Sequence, residues 1–98
     1  MEQISVTDLA AKSGATILDV REIDEFQAER VDGALNIPLS AFLSRIDEVP
    51  RDETVYVMCA AGMRSAQATA YLDEHGFDAV NVDGGIHAWT DAGLPVEH

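Results

Sequence analysis

The fold is decided by residues 54–65, which read Thr54-Val55-Tyr56-Val57-Met58-Cys59-Ala60-Ala61-Gly62-Met63-Arg64-Ser65. The stretch opens with an apolar run typical of a buried β-strand, and a helical pattern begins at Ser65. Cys59, the only cysteine of the chain, stands between these two patterns. We therefore predict a strand, a tight loop and a helix, with Cys59 at the carboxyl end of the strand.

This loop would stabilise a thiolate. Its amide groups and the positive end of the following helix dipole would face the sulfur of Cys59. Gly62 permits a tight backbone, Ser65 is predicted to cap the helix, and Arg64 adds a permanent positive charge. Because such surroundings lower a cysteine pKa, we expect Cys59 to be a reactive nucleophile. The alternative is the ordinary role of a lone cysteine beside a strand, that of a small core hydrophobe.

Strand and helix patterns alternate along the whole chain, which favours an α/β fold. We predict strands at residues 4–6, 16–20, 34–37, 54–58 and 79–82, and helices at 8–12, 22–29, 39–46, 65–75 and 86–92. Thr7 and Ser40 are predicted to cap the first and third helices. Ile23 and Phe26 are predicted to form the core side of the second helix. One face of the third helix is predicted to consist of Leu39, Phe42, Leu43 and Ile46. We expect a single domain over residues 1–98, with a five-stranded, mainly parallel sheet flanked by helices and an active site beyond the carboxyl ends of the strands.

The composition argues against several classes of partner. The chain has 18 acidic and 6 basic residues and a net charge of −12. Such a surface repels nucleic acid and anionic membranes, so neither is expected to bind. No apolar run approaches the roughly 20 residues of a membrane span, and residues 1–4 lack the character of a secretory signal. Since one cysteine also suits a reducing compartment, we expect a cytoplasmic protein or a module of a larger polypeptide.

No cofactor is expected. The three histidines are scattered along the chain and there is one cysteine, so the usual ligands of a metal site are not grouped. No glycine pattern matches a nucleotide-binding loop, and Gly84-Gly85 is interpreted as a turn only.

The chain resembles the rhodanese superfamily in four segments: Leu18-Asp19-Val20-Arg21-Glu22, Gly33-Ala34-Leu35-Asn36-Ile37-Pro38, Cys59-x-x-Gly62-x-Arg64-Ser65 and Gly84-Gly85-x-x-x-Trp89. Each segment alone is a weak signal, but their order and spacing together are specific. The resemblance implies a rhodanese-like sheet and a cysteine that carries sulfane sulfur as a persulfide.

The resemblance also implies roles for individual residues. Cys59 would be the catalytic, sulfur-accepting nucleophile. The loop that cradles the persulfide and binds the substrate would consist of Ala60, Ala61, Gly62, Met63 and Arg64, with Arg64 orienting the anionic end of the donor. Asp19, Arg21 and Ser65 would support the site, the first two as a structural ion pair. Arg30 stands where many relatives have histidine, and it either approaches the pocket or orders the connecting loop.

The implied function is that of a sulfurtransferase. It would move sulfur from thiosulfate or a persulfide, through Cys59, to a thiol or cyanide, and the donor or acceptor could be another protein. Four residues separate Cys59 from Arg64, whereas phosphatases with a cysteine–arginine cradle, including those on the rhodanese fold, have five. The shorter loop resembles that of the sulfurtransferases and argues against phosphoryl transfer. A phosphatase or arsenate reductase and a non-catalytic regulatory binding module remain alternatives. Because Arg64 is the only charged residue of the loop, we expect thiosulfate to bind modestly.

Overall fold

The computed structural model describes residues 1–98. Its five strands are β1 (Glu2–Ile4), β2 (Thr16–Asp19), β3 (Leu35–Asn36), β4 (Val55–Met58) and β5 (Ala79–Val82). They form one sheet in the order β1-β5-β4-β2-β3, and every neighbouring pair is parallel. The helices are α1 (Val6–Ala10), α2 (Ile23–Ala28), α3 (Met63–Glu74) and α4 (Gly85–Asp91). The predicted α/β class and parallel five-stranded sheet are confirmed.

The sheet is buried between two layers of apolar side chains, as a parallel sheet requires. One layer is built from Leu18, Val20, Ile37, Phe42, Val49, Val55, Val57, Cys59, Ala68, Leu72, Phe77 and Ala79. The other is built from Val6, Leu9, Val31, Met58, Val82, Ile86 and Trp89. The strand β4 lies in the middle of the sheet, with β2 and β5 on its two sides. The loop that follows β4 is therefore held by neighbours on both sides.

The first strand and helix begin earlier than the sequence predicts. The strand ends at Ile4 rather than spanning residues 4–6. Ser5, not Thr7, caps α1, because its backbone is extended and its Oγ accepts a hydrogen bond of 3.1 Å from the amide of Asp8. Thr7 already lies inside the helix. Both residue types are good caps, so the backbone conformation decides between them.

Residues 39–48 form two short 3₁₀ turns, Leu39–Ala41 and Leu43–Glu48, instead of the predicted α-helix. A 3₁₀ turn has three residues per turn, so Leu39 and Phe42 stay on the inner side while Leu43 rotates into solvent. Ser40 does not act as a cap: its hydroxyl donates to Glu22 at 2.7 Å. The predicted four-residue face is therefore wrong at Leu43.

The short helix α2 lies at the surface. Ile23, predicted to face the core, is exposed, and Phe26 is only half-buried. The helix begins with a capping box in which Glu22 and Glu25 satisfy each other's backbone amides. None of the helices is long and apolar enough to cross a membrane.

Candidate active site

Cys59 is the first residue after β4, as predicted, and its sulfur lies beneath the loop that follows. The residue is 1% exposed, and Sγ accepts a hydrogen bond of 3.1 Å from the amide of Gly62. Gly62 has φ +102° and is itself the N-cap of α3. That positive φ turns the chain from the loop into α3, and a residue with a side chain would be strained in this conformation.

The thiol lies in surroundings that favour its ionised form. Burial raises the pKa of Cys59, but hydrogen bonds from the Ser65 hydroxyl and from the amides of Ser65, Gly62 and Ala61 outweigh it, so the net shift is downward. The predicted stabilisation by loop amides at the start of a helix is therefore present in the geometry.

Ser65 supports the site from a different position than predicted. It is not the N-cap of α3 but lies in the first turn, fully buried, and its Oγ donates to Oδ1 of Asn81 at 2.6 Å. Since a hydroxyl has one proton, the sulfur of Cys59 and the amide oxygen of Asn81 compete for it. Asn81 also donates to the carbonyl of Gly62 at 3.4 Å. Asn81 was missed in the sequence, although it is the only polar residue in the buried strand β5.

The Gly84–Gly85 pair does more than turn the chain. The first amides of α4 bond the loop, from Ile86 to the carbonyl of Cys59 at 2.9 Å and from His87 to the carbonyl of Ala60 at 3.0 Å. A Cβ on Gly85 would lie 2.6 Å from the carbonyl oxygen of Ala60, closer than atoms can approach. The predicted turn is present at Asp83 and Gly84, and Gly85 in addition allows α4 to anchor the backbone on which the sulfur stands.

Asp19 and Arg21 form the structural ion pair that the sequence predicts. Nη2 of Arg21 lies 2.8 Å from Oδ2 of Asp19, and the two side chains are 5% and 0% exposed. The remaining guanidinium protons go to the carbonyls of Glu25 and Glu29 at 3.2 and 2.7 Å. The pair thereby fastens α2 to the end of β2.

Arg64 is held by a residue that no sequence pattern singles out, Glu25. Its two Nη atoms donate to the two carboxylate oxygens of Glu25 at 2.7 and 3.0 Å. Both side chains are 35% exposed. Hydrogen bonding to Arg64 lowers the pKa of Glu25 to about 2, and Glu25 in turn raises the pKa of Arg64, with a smaller contribution from the charge of Cys59. Arg64 thus lies within electrostatic reach of the sulfur, but its fork of donors is occupied.

The other loop residues supply backbone rather than chemistry. Ala61 and Met63 are exposed and Ala60 is half-buried. Gly62 and Ala61 contribute the amides that act on the sulfur. The structure therefore brings together all the loop residues predicted for the site. The side chains of Ala60, Ala61 and Met63 are apolar and form no hydrogen bonds there.

Arg30 orders the connecting segment. Its backbone pairs with Glu97 in an antiparallel bridge, through hydrogen bonds of 2.9 and 2.7 Å. Its guanidinium lies over the ring of Phe26, 5.8 Å from the centroid, and donates to the carbonyl of Gln27. These contacts favour the second of the two roles considered for Arg30, that of tying the chain together.

No open cavity leads to the sulfur. Three surface cavities are present, and Cys59 lines none of them. The largest, of about 600 Å³, lies beside α1 and the C-terminal segment.

The chain is similar to known proteins over nearly its whole length. The chain matches the rhodanese-like domain family over residues 4–92. It is 37% identical over 89 residues to a sulfurtransferase of Allochromatium vinosum, covering 90% of this chain and 83% of that protein. It is 34% identical over 91 residues to the thiosulfate sulfurtransferase GlpE of Actinobacillus pleuropneumoniae, covering 92% and 84%. A rhodanese-related protein from Thermoplasma volcanium has a solved structure with a TM-score of 0.95, at 36% identity over 99% of this chain and 98% of that one. The chain belongs to the rhodanese-like domain family.

Proposed function

We propose that this protein is a sulfurtransferase whose nucleophile and sulfur carrier is Cys59. The observation that supports the proposal most directly is the hydrogen bonding of the sulfur by loop amides and Ser65, which lowers the pKa of the thiol. The names of the relatives from Allochromatium vinosum and Actinobacillus pleuropneumoniae point to the same class of reaction.

The reaction proceeds in two steps. The thiolate of Cys59 attacks the outer sulfur of the donor, the bond from that sulfur to the rest of the donor breaks, and the leaving group departs with the electron pair. With thiosulfate the leaving group is sulfite. A nucleophilic acceptor such as cyanide or a thiol then attacks the outer sulfur of the persulfide, and the Cys59 thiolate is restored. Such covalent catalysis predicts ping-pong kinetics.

The loop stabilises the charge on sulfur in both steps. The amides of Gly62 and Ala61 act as preorganised dipoles, in the manner of an oxyanion hole. The hydrogen bonds to the sulfur favour the thiolate form of Cys59, so the proposed reaction uses no general base. Since Cys59 is 1% exposed, the transferred sulfur must be a terminal atom that enters beneath the loop.

A phosphatase is the second candidate function. It shares the need for a low thiol pKa and a ring of amides, but the four residues between Cys59 and Arg64 leave a smaller ring. Arg64 is also engaged by Glu25, which opposes binding of a phosphate dianion. Both features favour sulfur as the group transferred. A purely regulatory module would have no use for a stabilised thiolate.

The test is intact-mass spectrometry after incubation with thiosulfate. We expect one added sulfur on the native chain and none on Cys59→Ser, which is a matched control because it replaces a single atom. Retention of the added mass in Cys59→Ser, or its absence from the native chain with thiosulfate and with an organic persulfide, would contradict the proposal. Hydrolysis of an aryl phosphate by the native chain would support the phosphatase instead.

A further inference from the structure

We infer that Glu25 is a specificity-determining residue, which disfavours dianionic sulfur donors by occupying the guanidinium of Arg64. This inference rests on the proposed sulfur transfer at Cys59 and concerns which donors the same site accepts.

The geometry places Glu25 where the anionic group of a donor would bind. A guanidinium presents two parallel N–H groups that match a carboxylate, a sulfonate or a phosphate. In this structure both Nη atoms of Arg64 donate to the carboxylate of Glu25, at 2.7 and 3.0 Å. A sulfonate must either displace that carboxylate or approach the guanidinium beside a negative charge.

Arg21, the other arginine at the carboxyl end of the sheet, does not offset this occupation. Arg21 is buried against Asp19 and also donates to the carbonyls of Glu25 and Glu29. The negative charge of Glu22 also acts on Arg64. With a net charge of −12, the surrounding surface adds repulsion rather than attraction for an anion.

The competition does not depend on pH near neutrality. Arg64 keeps the pKa of Glu25 at about 2, so the carboxylate stays ionised at and around neutral pH. The selectivity is therefore a constant property of the site, and it favours donors of low charge, such as an organic persulfide or thiosulfonate, over thiosulfate.

Glu25→Gln tests this inference, because it removes the charge but keeps an acceptor oxygen for the capping box of α2. The matched control is Asp24→Asn, which makes the same change in net charge on the same helix at an exposed residue without a contact to Arg64. The donors are thiosulfate, a dianion, and methanethiosulfonate, a monoanion. Both transfer an outer sulfur to the Cys59 thiolate and leave the same persulfide, releasing sulfite and methanesulfinate respectively.

The measured quantity is the ratio of the two second-order rate constants for persulfide formation, thiosulfate over methanethiosulfonate. We expect Glu25→Gln to raise this ratio roughly two- to fivefold, the range that corresponds to a partly exposed ion pair. Glu25→Ala should raise it as well, and Asp24→Asn should leave it near the native value.

A ratio that is unchanged or lower in both Glu25 variants would overturn the inference, since it would mean that Glu25 only orients Arg64 for the donor. Equal increases in Asp24→Asn and Glu25→Gln would also overturn it, because a general charge effect would then explain the result. If the native chain forms no persulfide with either donor, the proposed function fails too. The two failures are thus distinguished by the native chain alone.

Discussion

Two carboxylate–guanidinium pairs lie at the carboxyl end of the sheet, and they differ in burial. Asp19 and Arg21 are sealed from solvent, at 0% and 5% exposed, while Glu25 and Arg64 are each 35% exposed. Helix α2 connects them, because Arg21 donates to the backbone carbonyl of Glu25 while the side chain of Glu25 holds Arg64. The same chemical pair is thus used once to fix the fold and once at the edge of the reactive loop.

This difference in burial changes what each ion pair can do. A sealed pair cannot exchange its partner for a ligand, and losing one member leaves a charge without water. A half-exposed pair is weak, but its partner can be displaced, so it can influence which molecules bind. We therefore expect Asp19–Arg21 to control stability and Glu25–Arg64 to control reactivity.

The largest effect expected is on stability in Arg21→Ala. Removing the guanidinium leaves the buried carboxylate of Asp19 unpaired, which costs about 3–5 kcal/mol of unfolding free energy. Arg64→Ala is the control and should cost only about 0.2–1 kcal/mol, because Glu25 remains hydrated. Urea denaturation measures both. Equal losses in the two variants would break the distinction between the pairs.

Ser65→Ala tests whether a buried residue can also control reactivity, because Ser65 is fully buried and yet acts on the sulfur. Loss of its hydroxyl should raise the pKa of Cys59, since one hydrogen bond that favours the thiolate disappears. The ultraviolet absorbance of the thiolate during a pH titration measures this, with Cys59→Ser as the blank. Thr69→Val is a matched control, because it removes a buried hydroxyl on the same helix that bonds only the carbonyl of Ser65. If both variants shift the pKa alike, general loosening of α3 is the cause.

The smallest effect expected is on the pH dependence of stability in Glu25→Gln. The folded-state pKa of Glu25 is about 2, below its ordinary value of 4.5, so the pair stabilises the fold above pH 4.5 and this contribution is lost as the pH falls toward 2. Because the pair is half-exposed, we expect a native advantage of about 0.2–1 kcal/mol at neutral pH. Denaturation at neutral pH and near pH 3 should show the advantage shrinking. If the stability advantage of the native chain over Glu25→Gln grew as the pH fell, the result would contradict this prediction.

The sequence was sufficient for those parts of the fold that depend on local pattern. Apolar runs located β2, β4, β5 and the loop of Cys59, because a strand buried on both faces carries its signal within a few residues. The strand β1 was placed two residues too late, because Glu2 and Gln3 are exposed and polar and carry no such signal. The cap of α3 was predicted at Ser65, but the structure has it at Gly62. Both residue types cap helices, and only the backbone angle at Gly62 decides between them.

The contacts that complete the site could not be predicted in the same way. Glu25 and Arg64 are 39 positions apart, and Asn81 and Ser65 are 16 apart. Their meeting depends on how α2 and β5 lie against α3, which no short stretch encodes. Asn81 offered a signal, a lone polar residue in an apolar strand, whereas the carboxylate of Glu25 looked like any other on an acidic surface.

Gly85 also limits how this sequence can diverge. Every other amino acid would bring its first side-chain carbon against the carbonyl oxygens of Cys59 and Ala60, and those oxygens are fixed by the amides of α4. Purifying selection should therefore act on this codon as strongly as on that of the nucleophile itself, although the glycine has no chemistry of its own.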